Sequence, residues 1–134
     1  NRTTINGKKL AIKTKKQFPN IDIEYGDLSL KNVIKEEIYM VINCTSIGMQ
    51  PNIKETPVLL DGFPNNLIAY DIIYKPVMTK FLKLAREKGY TTINGIPMLI
   101  NQGLFSQEIW LNGKVKNIYN NYDKIKRILS NYVE

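Results

Sequence analysis

The sequence predicts an α/β fold with a parallel sheet and flanking helices. Two short apolar runs at 39–42 and 67–70 are unbroken, the pattern of strands that are buried on both faces. Elsewhere, segments of strand length alternate with segments whose apolar residues recur at helical spacing. Such alternation is typical of parallel α/β sheets, and we expect this sheet to lack its opening strand.

The first part of the chain is predicted to contain a helix, a strand and a short turn or helix before the first apolar strand. Apolar residues among lysines predict a mostly polar helix over 5–18, ended by Pro19. Residues 21–25 alternate between apolar and acidic side chains, which is the period of a strand. A short turn or helix is expected over 27–36, before the apolar strand at 39–42.

The middle of the chain begins with a loop over 51–66, rich in proline, glycine and asparagine. The apolar strand at 67–70 follows. Proline is favoured at the first helical position, so Pro76 predicts the start of a helix, which Gly89 ends.

The last part of the chain contains a short strand at 91–94 and a helix over 95–110. After Gly113, apolar residues at helical spacing predict a final amphipathic helix over 118–132.

Composition excludes several classes of protein. The 134 residues, of which 43% are hydrophobic, predict a soluble domain that buries roughly 68% of its unfolded surface. No apolar run approaches the ~18 residues of a bilayer span, and the start has no signal-peptide core, so a cytoplasmic location is expected. With one cysteine and no histidine, an intrachain disulfide, most zinc sites and a histidine-dependent triad are excluded, and we expect no metal.

The net charge of +7 allows a second interpretation. A basic α/β module could bind nucleic acid or another protein through its densest lysine cluster, which lies at 8–16. A solvated lysine-rich surface is the interpretation we favour, because lysine, asparagine and isoleucine are abundant throughout the chain. The lack of aromatic residues interleaved with these lysines also argues against binding of single-stranded nucleic acid. We therefore expect neither nucleic acid nor membrane as a partner.

The opening residues predict a cofactor. Arg2 stands where the second strand of a nucleotide-binding half would end, and an arginine there accommodates the 2′-phosphate of NADP. A planar guanidinium suits phosphate because it donates two parallel hydrogen bonds. The alternative is an ordinary surface arginine. Since the chain opens without an initiating methionine or room for a first strand, we expect it to be a fragment of a larger protein.

Two further segments place polar groups after predicted strands, where parallel sheets bind ligands. Asn43 and Thr45 follow the first apolar strand, and they form either a polar strand exit or a ligand contact. Cys44 between them is expected to be a small buried thiol, because no histidine could activate it. Tyr74 follows the second strand and would either hydrogen-bond a small polar substrate or cover the start of a helix.

Gln102 lies in an apolar stripe with Met98, Phe105 and Ile109, which recur at helical spacing. A buried amide without a partner costs ~1 to 3 kcal/mol, so we expect the Gln102 side chain to be satisfied. Its partner is either a structural backbone group or a ligand.

Four stretches in chain order, at 1–3, 43–49, 71–79 and 95–102, together resemble the C-terminal half of shikimate dehydrogenases. The resemblance extends to about Gly113. It implies an incomplete Rossmann-like, NADP-binding domain over 1–113, and a C-terminal helix within 114–134 that packs on a missing N-terminal substrate domain. It further implies reversible, NADP-dependent reduction of 3-dehydroshikimate to shikimate, in the synthesis of aromatic amino acids. Activity on quinate is the alternative within the family.

The resemblance assigns roles to ten residues and leaves this chain without a catalytic residue, because the family's lysine and aspartate pair lies in the other domain. Those expected to bind the cofactor are Asn1, Arg2, Thr3, Asn43, Thr45, Ile72, Gly95 and Met98. Tyr74 and Gln102 are expected to bind the substrate.

The sequence departs from the family pattern at Asn6, where a basic residue is usual, and at Lys75, where asparagine is usual. The glycine-rich pyrophosphate loop and the substrate domain are missing, so the isolated chain is expected to be inactive. The apolar face of 118–132 would then be exposed and would favour self-association, so a homodimer is also expected.

Overall fold

The fold is described by a computed structural model over residues 1–29, 35–113 and 118–133. The chain divides into two compact units, Asn1–Ile34 and Lys35–Glu134. In the part that the structure describes, no helix combines the length and apolar character needed to cross a membrane.

The first unit is built on helix α1, Thr4–Gln17, which confirms the predicted helix. Gly7 and Ala11 are its buried residues. The strand predicted over 21–25 is wrong, because this segment is not part of a strand. A strand needs a neighbour for its backbone groups, and the described residues supply none here.

A cavity of about 890 Å³ lies between α1 and the segment over 21–29. The backbone nitrogen of Asn1 donates a hydrogen bond to the Gly26 carbonyl oxygen at 2.7 Å across the end of this segment. The apolar residues that line the cavity are Leu10, Ala11, Ile21, Ile23 and Tyr25.

The second unit contains a parallel sheet, as the sequence predicts, and its strand order is β1-β2-β3. Its strands are β1, Met40–Asn43, β2, Ile68–Asp71, and β3, Thr91–Ile93. Asn43 pairs with Asp71 in register, so β1 and β2 end together. The carboxyl ends of the strands thus form one edge, the usual place for a ligand.

The prediction that the first apolar strand is buried on both faces is wrong. Met40 and Ile42 of β1 are 43% and 48% exposed. Parallel strands are normally covered on both faces by crossover helices. The connection from β1 to β2 contains no helix, so one face of β1 has no cover.

Helix α2, Lys80–Glu87, begins later than Pro76 because Thr79 is its N-cap. Phe81, Leu82 and Ala85 bury the apolar face of α2. Gly89 has φ +79°, a conformation that favours glycine, and confirms the predicted helix end.

Beyond the end of α2, Lys88 forms an ion pair with Asp61 at 2.7 Å. The hydrogen bond and the charge of Lys88 lower the pKa of the Asp61 carboxyl. This exposed pair links the end of α2 to the loop that precedes β2.

Helix α3, Ile96–Trp110, packs against helix α4, Tyr122–Val133, which follows a short 3₁₀ turn at Ile118–Asn121. Ile96, Ile100 and Leu104 form the buried stripe of α3. The residues packed on this stripe are Val77, Tyr122, Ile125 and Leu129. The apolar face of the last helix is thus partly covered within the chain, contrary to expectation, while Ile128 and Tyr132 stay exposed.

Candidate functional site

The candidate site is the edge formed by the carboxyl ends of β1 and β2. Asn43 ends β1 and Asp71 ends β2, and the two residues are only 2% and 0% exposed. Buried polar side chains of this kind must find hydrogen-bond partners. Their partners decide how the two following loops are held.

The Asn43 side chain organises the loop after β1. Its Oδ1 accepts hydrogen bonds from the backbone nitrogen of Thr45 at 3.0 Å and from the Thr45 hydroxyl at 2.7 Å. Its Nδ2 donates to the Ile47 carbonyl oxygen at 3.0 Å and to Asp71 Oδ1 at 3.1 Å. One amide therefore fixes the turn and joins it to β2.

The Asp71 carboxylate organises the loop after β2. Besides the Asn43 amide, its Oδ1 accepts from the Ile73 backbone nitrogen at 3.0 Å, and its Oδ2 accepts from the Thr79 hydroxyl at 2.7 Å. Among the described residues no lysine or arginine pairs with it. Neutral donors therefore compensate for the burial of this acid.

Gly95 joins the end of β3 to the same edge. Its backbone nitrogen donates to the Ile73 carbonyl oxygen at 3.0 Å. A Cβ atom at this position would collide with the Ile72 carbonyl group, lying 2.6 Å from its carbon. Only glycine allows this close approach of two backbones. The loops after the three strands are thus connected by hydrogen bonds.

Four of the predicted cofactor residues, Asn43, Thr45, Ile72 and Gly95, belong to this connected set, since the Ile72 backbone nitrogen also donates to the Asn43 carbonyl oxygen at 3.2 Å. Met98 lies on the first turn of α3 and is 44% exposed.

The other three predicted cofactor residues, Asn1, Arg2 and Thr3, belong to the first unit. There the Thr3 backbone nitrogen donates to Asn1 Oδ1 at 2.9 Å, just before α1. Arg2 is exposed.

The predicted substrate residues are both exposed. Tyr74 follows Ile73 in the loop after β2 and is 45% exposed. Gln102 is exposed as well, so the argument that its amide is buried is wrong. The buried stripe of α3 is the one through Ile100, and Phe105, beside Gln102 in the predicted stripe, is 55% exposed.

Gln102 lies seven residues along α3 from Gly95, a rise of roughly 10 Å. In the described chain no hydrogen bond joins its amide to the strand-end loops. The Cys44 thiol, expected to be buried, is exposed at the same edge as Thr45.

The chain was compared with known protein families, curated proteins and solved structures. No family model matches the chain. A shikimate dehydrogenase (NADP(+)) of Methanococcus vannielii is 40% identical over 116 residues, which are 82% of this chain and 40% of that protein. The corresponding protein of Microcystis aeruginosa is 52% identical over 75 residues, 54% of this chain and 26% of that protein. The chain belongs to the shikimate dehydrogenase family.

The structure is also similar to a solved shikimate dehydrogenase in complex with NADP+, with a TM-score of 0.84 and 30% sequence identity. The match covers 100% of this chain and 45% of the solved chain. The predicted Rossmann-like α/β class is thereby confirmed. The chain spans 26% and 40% of the length of the two relatives named above.

Sequence reasoning missed two residues that organise this strand-end edge, Asp71 and Thr79. A sequence signal for Thr79 existed, because threonine before a helical run is a favoured N-cap. The favourable position of Pro76 outweighed it in the assignment. Asp71 offered only an acid at the end of an apolar strand, which does not reveal its partners.

We predict that Gly95→Ala lowers the free energy of unfolding of the intact protein by ~3 kcal/mol, because two peptide groups block the new methyl group. Gly103→Ala is the matched control, since nothing lies within 4 Å of its added Cβ and it is inside α3. The control is expected to stabilise by about 0.5 to 1 kcal/mol. Urea unfolding measures both, and equal effects would contradict the close approach.

Proposed function

We propose that this chain is the NADP-binding part of an enzyme that reversibly reduces 3-dehydroshikimate to shikimate. The observation that carries the proposal is that hydrogen bonds join the loops after three parallel strands, which contain Thr45, Ile72 and Gly95. The chain that forms this edge belongs to the shikimate dehydrogenase family. The names of its relatives specify NADP(+), and a matching structure contains NADP+. Residues with the chemistry to hold parts of this cofactor occur in each of the two units, and each unit is treated by itself.

The adenosine phosphate end is proposed to bind Asn1, Arg2 and Thr3. Arg2 is exposed and lies just before the amino end of α1, which no side chain caps. A helix amino end favours negative charge, and a guanidinium binds phosphate in a fork. These features support a preference for the 2′-phosphate of NADP.

The nicotinamide end is proposed to lie along Asn43, Thr45, Ile72, Gly95 and Met98. When bound, NADPH supplies the hydride. The chain's own contribution is a rigid wall, because hydrogen bonds within the edge already satisfy Asn43 and fix the Ile72 and Gly95 backbones. A wall that is organised in advance lowers the cost of ordering a ligand.

The substrate is proposed to contact the Tyr74 phenol and the Gln102 amide. Both side chains are exposed, so they can exchange water for the hydroxyl or carboxylate groups of a cyclic polyol acid. The proton relay is proposed to come from a separate substrate domain, so the chain alone would be inactive. The exposed Ile128 and Tyr132 of α4, at 54% and 82%, suit a contact with that domain or with a second copy.

The direct test is an assay of the full-length protein with shikimate and NADP+, following the absorbance of the reduced cofactor. We expect turnover with NADP+ and none from the 134-residue chain by itself. Turnover with quinate and NAD+ instead would assign the protein to another branch of the family. No turnover with either pair would contradict the proposal.

We predict that Gln102→Ala raises KM for shikimate about tenfold through the loss of a hydrogen bond to the substrate. Its thermal midpoint should not change, because the side chain is exposed. Gln107→Ala, at an exposed position of the same helix, is the control and should keep the original KM. An unchanged KM in Gln102→Ala would remove this residue from the substrate site.

A further inference from the structure

The Thr79 hydroxyl makes a hydrogen bond to the strand-end edge in addition to the one that caps α2. Thr79 is fully buried, at 0% exposure. Its Oγ1 accepts a hydrogen bond from the Leu82 backbone nitrogen at 3.3 Å, which is ordinary N-cap geometry. The same hydroxyl donates to Asp71 Oδ2 at 2.7 Å. An N-cap side chain needs only to accept a hydrogen bond from the backbone. The hydrogen bond that Thr79 donates to Asp71 therefore does not serve the cap.

The donated bond fixes the second oxygen of the Asp71 carboxylate. The first oxygen holds the Ile73 backbone nitrogen and the Asn43 amide at 3.0 and 3.1 Å. A carboxylate is planar, so fixing Oδ2 also fixes the direction in which Oδ1 accepts. Thr79 thereby influences the turn at Ile73, directly before Tyr74.

Thr79 also contacts the loop after β1. Gly48 is buried and has φ +102°, and a Cβ atom added to it would lie 3.4 Å from the Thr79 Cβ. The space beside the Gly48 backbone is therefore bounded by the Thr79 side chain. One threonine touches both loops that carry proposed ligand contacts, Thr45 in one and Ile72 and Tyr74 in the other.

We propose that Thr79 is a positioning residue, which holds the loops after β1 and β2 in the arrangement that binds cofactor and substrate. This inference rests on the proposed function. Thr79 does not itself touch a ligand in this proposal. It acts through Asp71 and Gly48, and the loss of its hydroxyl is expected to loosen both loops together.

The test compares three variants of the full-length protein. Thr79→Val keeps the shape of the side chain without the hydroxyl, and Thr79→Ser keeps the hydroxyl. Leu67→Val is a control with a similar loss of stability, because Leu67 is fully buried. Leu67 directly precedes β2, at the end of the strand opposite the candidate site. We expect KM for both shikimate and NADP+ to rise about fivefold in Thr79→Val. Values near those of the unmodified protein are expected in Thr79→Ser and Leu67→Val.

Amide hydrogen exchange gives a second measurement that does not need activity. Exchange over 45–47 and 72–74 should be faster in Thr79→Val than in Leu67→Val. If the unmodified protein shows no turnover, the proposed function fails, and the exchange comparison alone supports or overturns the positioning of the two loops.

Equal KM values and equal exchange in Thr79→Val and Leu67→Val, at equal loss of thermal midpoint, would overturn the inference. Should Thr79→Val not fold, Asp71→Asn takes its place, because an amide nitrogen at the position of Oδ2 cannot accept the Thr79 proton. The same changes in KM and exchange are then expected, and their absence would again overturn the role of Thr79.

Discussion

The arrangement of the strand-end edge depends on one buried acid. Asp71 is completely enclosed at the end of the middle strand, where three hydrogen bonds from neutral groups reach its two oxygens. Burying a carboxylate is costly unless its charge is met by donors, and removing the acid leaves those donors unsatisfied in turn. The donors come from three different segments, so none of them can move independently while this acid is buried.

The consequences extend along the chain from this point. The Asn43 amide shapes the turn that carries Thr45, and the Thr79 hydroxyl fixes the start of α2. Gly95 then brings the third strand end against the Ile72 carbonyl group. Under the proposed function, this edge would receive a flat cofactor ring with little reorganisation, and the exposed side chains around it would contact a polar substrate. This division between satisfied and available groups is the structural basis of the proposed dehydrogenase function.

Local pattern predicted much of this fold. The helix of the first unit, the parallel order of the strands and the long helix α3 all follow from periodicity and glycine positions, and the structure confirms them. The predicted strand over 21–25 is wrong because alternation states a preference, whereas a strand also needs a neighbouring backbone. The exposed Gln102 shows the same limit, since α3 offers two apolar stripes and only packing on α4 selects the one through Ile100. Likewise, Asn43, Thr45 and Gly95 are visible in sequence, but their connection through Asp71 depends on the register of β1 and β2.

The most direct measurement is the free energy of unfolding of Asp71→Ala in the intact protein, compared with Asp61→Asn, whose acid is exposed and forms an ion pair with Lys88. Three donors left without the acid should lower the stability of Asp71→Ala by at least ~3 kcal/mol, whereas Asp61→Asn should remain close to the unmodified protein. An Asp71→Ala protein whose stability lies within about 0.5 kcal/mol of the original would contradict the central role of this acid.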